Sequence, residues 1–201
     1  MPNGSIISAA VEGIVDEVVV RKLIVHAGGT AGDVYGKQGK VFLQRRMPGY
    51  NNAARHAPWI VLLDLNDDAE CAPPLRKTWL PDPAPHLCFR VAVRAIEAWL
   101  LADREKLAEF LGLARRKLCY DPEALDNPKA TMVDLARKSR RRDIQADMVP
   151  RPGSGRPVGP AYASRLIEFA DRHWRPQVAA RQADSLMRAI RCLRRLIERQ
   201  P

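Results

Sequence analysis

Trp59-Ile-Val-Leu-Leu-Asp64 is the stretch on which the fold turns. Five apolar residues in a row, without polar alternation, predict a strand buried on both faces, as inner strands of a parallel sheet are. The run stops at a carboxylate. Toward the N-terminus, Ser5-Ile-Ile-Ser-Ala-Ala-Val11 is a second short β-prone run, and it ends at Glu12-Gly13. Between the two, Ile14 to Ala27 carries Val15, Val18, Val19, Leu23 and His26 at helical spacing, with Gly28-Gly29 as a stop. Asp33 to Lys40 is Gly-rich and polar and reads as a short strand and turn. A helix follows over the mid-forties to mid-fifties.

Toward the C-terminus the alternation continues. Pro73 to Leu80 reads as a short helix, His86 to Val93 as a strand, and Ala95 to Leu111 as one amphipathic helix closed by Gly112. Strand and helix in alternation imply right-handed crossovers, and so an α/β fold with a mostly parallel sheet flanked by helices. Beyond residue 112 the pattern changes. Pro128 to Arg142 and Ala161 onward read as helices, separated by Pro150-Arg-Pro-Gly-Ser-Gly-Arg-Pro-Val-Gly-Pro160, which is too rich in Pro and Gly for regular structure. The expected organisation is an α/β core over residues 1–112 and an Arg-rich helical extension over 113–201, with a loop at 150–160.

Composition narrows the function classes. Of 201 residues, 46% are hydrophobic and 28% charged, which excludes a disordered chain. No apolar run approaches the ~20 residues a bilayer requires, and Met1-Pro-Asn-Gly-Ser5 lacks the basic start of a signal peptide. A cytoplasmic protein without a membrane partner is expected. Cys71, Cys88, Cys119 and Cys192 are scattered, and His26, His56, His86 and His173 show no ligand spacing. No zinc site is expected, the cysteines read as structural or incidental thiols, and nothing asks for an oxidising compartment.

The net charge of +10 is unevenly placed. Up to Asp103 there are 11 Lys/Arg and 11 Asp/Glu; the remainder holds 33 − 11 = 22 and 23 − 11 = 12, so the whole excess lies in the second half. Arg137, Lys138, Arg140, Arg141 and Arg142 form the densest run, and Arg188, Arg191, Arg194, Arg195 and Arg199 line the last helix. Such a run is either a solvated helical face or a surface for phosphates, which Arg grips through its planar fork. On the second reading these residues bind nucleic acid, DNA rather than RNA.

In a parallel α/β sheet, functional groups collect at the carboxyl ends of the strands, and three expected strand ends carry acids. The first gives Glu12, with Asp16 and Glu17 one helical turn on. The second gives Asp64-Leu-Asn-Asp-Asp68 with Glu70 behind, and the third leads into Glu97 and Asp103. Crowded carboxylates resist ionisation unless a cation neutralises them, and hard oxygen ligands suit Mg²⁺ or Mn²⁺. The metal-ligand candidates are Glu12, Asp64, Asn66, Asp67, Asp68 and Glu97, with Glu12 and Asp64 as the catalytic pair. More modest roles exist: Asp67 or Asp68 as a helix cap, Asp16 and Glu17 as partners of a helix dipole. Glu97, set among apolar residues in Ala95-Ile-Glu-Ala-Trp-Leu-Leu101, needs a partner or a metal.

These residues resemble the Toprim domain, the metal-dependent module of topoisomerases, primases and the overcoming-lysogenisation-defect nucleases. The matching features are Val11-Glu12-Gly13 with Asp16, and Asp64-Leu65-Asn66 with Asp67 and Asp68 behind. With Arg94-Ala-Ile-Glu-Ala-Trp-Leu-Leu-Ala-Asp103, Asn127-Pro-Lys129 and Gly159-Pro-Ala-Tyr162, the chain is similar over most of its length to an uncharacterised Toprim-like family of unknown function. That family is often encoded beside ATPases in bacterial defence loci. The resemblance implies a Toprim-like (Rossmann-like) sheet, a Mg²⁺- or Mn²⁺-dependent nuclease acting on phosphodiesters, and an ATPase partner. The sequence departs from the pattern at Asn66, where the second acid of Asp-x-Asp belongs. The alternative expectation is therefore an inert nucleic-acid-binding or regulatory subunit docking on an ATPase. A phosphoacceptor role for Asp64 fits less well, because Glu12 stands alone where a receiver has a pair of acids.

Overall fold

A computed structural model describes residues 5–199; the Met1–Gly4 start, read above for targeting signals, lies outside them. The described residues form two compact units. One runs through Val93 and resumes at Ser185; the other is Arg94–Asp184. The expected boundary at 112 thus gives way to one at Val93, and the last helix belongs with the strands.

In the first unit the strands are β1 (Ile6–Val11), β2 (Thr30–Gly36), β3 (Trp59–Asp64) and β4 (Leu87–Ala92), and they form an all-parallel sheet in the order β2-β1-β3-β4. The helices are α1 (Ile14–Ala27), α2 (Lys40–Ala53), α3 (Ala72–Trp79) and, at the end of the chain, α10 (Asp184–Glu198). α1 spans the expected limits and ends in a left-handed Gly28. Trp59 to Leu63 is buried throughout, as the unbroken apolar run requires. On one face, Ala10, Val61, Leu63, Phe89 and Val91 pack with Leu43 and Met47 of α2 and Leu75 of α3. The alternating residues of the strands face the other way, where α1 packs on β1 and β2. This is the helix-flanked, Rossmann-like sheet that strand–helix alternation predicts.

Two links fasten α10 to β4. The Val93 N–H donates to Ser185 Oγ at 3.3 Å, and Cys88 is joined to Cys192 as a disulfide with Cα atoms 6.0 Å apart. The expectation of four structural or incidental thiols is corrected for this pair, which is a disulfide; Cys71 and Cys119 are free.

The second unit is helical: α4 (Ile96–Leu101), α5 (Arg104–Leu111), α6 (Pro128–Arg137), α7 (Arg142–Met148), α8 (Tyr162–Arg172) and α9 (Pro176–Ala179). The expected single helix over 95–111 is two. Asp103 leaves helical geometry at ψ 69° and caps α5. Fully buried, it also accepts the Arg175 backbone N–H at 3.0 Å and its guanidinium at 2.7 and 3.0 Å. The expected 128–142 helix stops at Arg137, beyond which Ser139 Oγ donates to the Leu111 carbonyl at 2.5 Å. The expected C-terminal helix is three, interrupted before Pro176 and again around Ala183. The 150–160 loop closes onto α7 as the Gly159 N–H donates to the Met148 carbonyl at 3.0 Å. Trp174 Nε1 donates to the Trp99 carbonyl at 2.9 Å, tying α9's approach to the wholly buried α4. Among the described residues no helix is long and apolar enough to cross a membrane.

Asp103→Ala removes a helix cap and leaves the Arg175 guanidinium with Glu105 alone. Loss of about 3 kcal/mol is expected, read as a lowered urea midpoint; an unchanged midpoint would show that the Asp103–Arg175 pair carries no stability.

Candidate functional site

The chain leaves β1 toward β2 on one side and later enters β3 on the other, so the winding direction reverses between β1 and β3. Crevices form at such switch points, outside the carboxyl ends of the strands. The register pairs Val11 with Leu62. Glu12 and Asp64 therefore emerge beside one another at that edge. They are in direct contact: the Asp64 N–H donates to Glu12 Oε1 at 2.7 Å.

The loop after β2 completes the edge. Val11 and Glu12 offer their carbonyls to the N–H groups of Lys37 (2.9 Å) and Gly39 (3.0 Å). Gly36 is needed there on two counts: its φ is +89°, and a Cβ would collide with the Val11 carbonyl oxygen. Gly39, also at positive φ, starts α2 and makes Lys40 its first residue. The Lys40 ammonium reaches the Asp64 carbonyl at 2.5 Å, lies 3.8 Å from Glu12 Oε1 and pairs with the Asp68 carboxylate. Lys40 is thus a resident cation amid the acids, and sequence reading missed it. The signal available was the Gly36-Lys-Gln-Gly-Lys40 spacing after a strand.

The remaining acids separate by role. Asn66 stands at φ +49°, a left-handed position in the turn after β3, where Asn is among the best-tolerated side chains. Asp67 and Asp68 are exposed. Neither caps α3, whose N-cap is Cys71, so the capping expectation falls. Asp16 is buried and accepts the Gly13 N–H at 2.8 Å, which closes the first turn of α1. Burial works against ionisation of Glu17, yet hydrogen bonds from Lys37 and Arg21 hold its carboxyl below the ordinary value. Among the described residues no three His, Cys, Asp or Glu side chains form a ready group of metal ligands.

Glu97 belongs to the helical unit and is 3% exposed. Tyr162 Oη donates to its Oε1 at 3.2 Å, Lys129 Nζ lies 3.7 Å from the same atom, and its buried Oε2 has no hydrogen-bond partner. Three segments far apart in sequence (Glu97 in α4, Asn127-Pro-Lys129 and Gly159-Pro-Ala-Tyr162) thus meet around one carboxylate. Of the basic run in that unit, Arg137 pairs with Asp134 at 2.5 Å. Arg141 bonds Asp143 at 2.7 Å and the Phe110 carbonyl at 3.1 Å. Lys138, Arg140 and Arg142 are exposed, and Arg142 shares a groove with Arg137 and Arg151.

No protein-family model matches the chain, and neither a curated protein nor a solved structure is significantly similar to it.

Lys40→Met removes the ammonium that reaches both Glu12 and Asp68. Titration calorimetry is expected to show Mg²⁺ binding tightened roughly fivefold, the worth of one surface ion pair of about 1 kcal/mol. Unchanged affinity would mean that Lys40 does not compete with a divalent cation for these acids.

Proposed function

We propose that this chain is a Toprim-like, divalent-cation-dependent nuclease acting on nucleic-acid phosphodiesters, of the kind that works with an ATPase partner in bacterial defence. One observation carries the reading: Glu12 and Asp64, on adjacent parallel strands, touch at the switch point of the sheet. The donor set is all oxygen, as Mg²⁺ and Mn²⁺ prefer, and Mg²⁺ commonly takes only one or two carboxylates along with waters and substrate phosphate. Glu12, Asp64 and Asp68 would hold the ion, with the Asn66 amide oxygen and Asp67 in support. A bound ion supplies charge stabilisation at the phosphate and a more acidic water.

The chain's own residues do the rest. Glu12, oriented by the Asp64 N–H, accepts the proton of the attacking water. Lys40, released from Glu12 and Asp68, turns to the phosphate oxygens and offsets their charge. Exposed cations of the basic run, Lys138, Arg140 and Arg142, hold the strand. Arg137 and Arg141, already paired with acids, contribute less.

A second reading is favoured by the Lys40 contacts themselves. An ammonium amid the acids, together with Asn66 in place of an acid, suits an inert nucleic-acid-binding or regulatory subunit docking on an ATPase.

Incubation with labelled DNA and RNA, alone and with any ATPase encoded beside this chain, separates the two. Weak cleavage that prefers Mn²⁺ over Mg²⁺ is expected, faster in Asn66→Asp and abolished in Glu12→Gln with strand binding retained. Silence of all three proteins in every combination would overturn the nuclease reading and leave the regulatory one in its place.

A further inference from the structure

β4 is the outer strand of its sheet, and no strand pairs with its far edge among the described residues. Arg90 lies on it, two residues beyond Cys88, so both side chains leave the same face. Cys88 is bonded to Cys192 of α10. Arg188 and Arg195 stand four before and three after Cys192, on the same helical face. Arg76 comes from α3 on the opposite side of the sheet and passes 5.9 Å from the Phe89 ring. Four guanidinium groups therefore gather about one sheet edge.

Like charge dominates this edge. Burial, then the neighbouring Arg76, Arg188 and Arg195, push the Arg90 guanidinium down to about 10, and burial lowers Arg76 as well. The Nε atoms of Arg76 and Arg90 are buried without a hydrogen-bond partner. Desolvated like charges with unspent N–H donors are costly, and a tetrahedral oxyanion is the group that satisfies guanidinium forks of this kind.

We propose that Arg76, Arg90, Arg188 and Arg195 form a phosphate-binding site on the β4 edge that takes a backbone phosphate of a nucleic-acid strand. The site rests on the nucleic-acid reading above and extends it to residues outside the run at 137–142. Arg90 pairs in register with Leu62, two residues before Asp64 on the adjacent strand. The spacing within a sheet puts the Arg90 and Asp64 backbones about 8 Å apart, two or three steps of ~3.4 Å along a stacked strand. A strand gripped at this edge runs past the acids.

The test is fluorescence anisotropy of labelled single-stranded and duplex oligonucleotides across a salt series. It compares the unaltered protein with Arg76→Gln/Arg90→Gln, Arg188→Gln/Arg195→Gln and, as a control one residue away on α3, Lys77→Gln. Both double variants are expected to weaken binding and to flatten the log K against log salt slope by about 0.9 on duplex and about 0.7 on single strands for each phosphate no longer neutralised, with Lys77→Gln unchanged. Thermal melts check folding; relief of like-charge crowding should leave the Arg90 variant at least as stable as the parent. Unchanged slopes in both folded double variants would overturn the site and leave the arginines as charges that keep the edge strand from pairing. Inorganic phosphate that raises the melting temperature in an Arg90-dependent way, without any oligonucleotide binding, would overturn the strand in favour of a small free phosphate. Arginine-dependent binding without cleavage in any variant rejects the nuclease and keeps this site, whereas cleavage with unchanged slopes rejects the site alone.

Discussion

The Glu12 carboxylate accepting the Asp64 N–H joins the ends of the two central strands at the point where the sheet changes winding direction. Much of the edge follows from that hydrogen bond. It fixes one carboxylate oxygen of Glu12 and sets the start of the Asp64–Asp68 turn. The backbone of the same β1 end, through the Val11 and Glu12 carbonyls, holds the loop that delivers Lys40. The acids and the lysine are thus placed by main-chain hydrogen bonds of the scaffold, the kind of rigid support that functional groups need.

Electrostatically the edge is a balance between carboxylates and one lysine ammonium. A lysine ammonium is a point charge on a flexible stem, whereas a guanidinium fork grips a carboxylate through parallel hydrogen bonds. The helical unit shows the contrast. There Asp103 is fully buried and gripped by Arg175, whose own pKa is raised by that hydrogen bond and by the one to Glu105. One cation is shared among several acceptors at a strand edge; the other grips a buried carboxylate through a fork.

What was legible in the sequence is what local pattern dictates. The apolar run of β3, the Glu-Gly end of β1 and both limits of α1 follow from period and stop signals. So do the acids at strand ends, since topology places them. The rest depends on partners distant along the chain. The break between α4 and α5 reads as continuous helix until Arg175, 72 residues on, is seen to hold Asp103. Lys40 lies 24 and 28 residues from its partners at Asp64 and Asp68. Cys88 and Cys192 are 104 residues apart, and no spacing rule reaches that far. β2, Thr-Ala-Gly-Asp-Val-Tyr-Gly, is a half-exposed edge strand whose small residues hide its start.

The return of the chain at Ser185 has a consequence for the order of assembly. Everything from Arg94 to Asp184 is made after β4 and before the helix that fastens to it. During synthesis the helical unit is contiguous, and all its partners, Arg175 for Asp103 and Trp174 for Trp99 included, emerge before α10 is complete. The sheet, by contrast, must wait with one flank of β4 bare until α10 emerges, and closing so long a loop costs entropy before packing offsets it. For that interval Cys88 has no Cys192 to meet, and the apolar face beneath α10 is open to other chains. The arginine on that same edge strand is then already in place, a charge that discourages pairing while the cover is still being made.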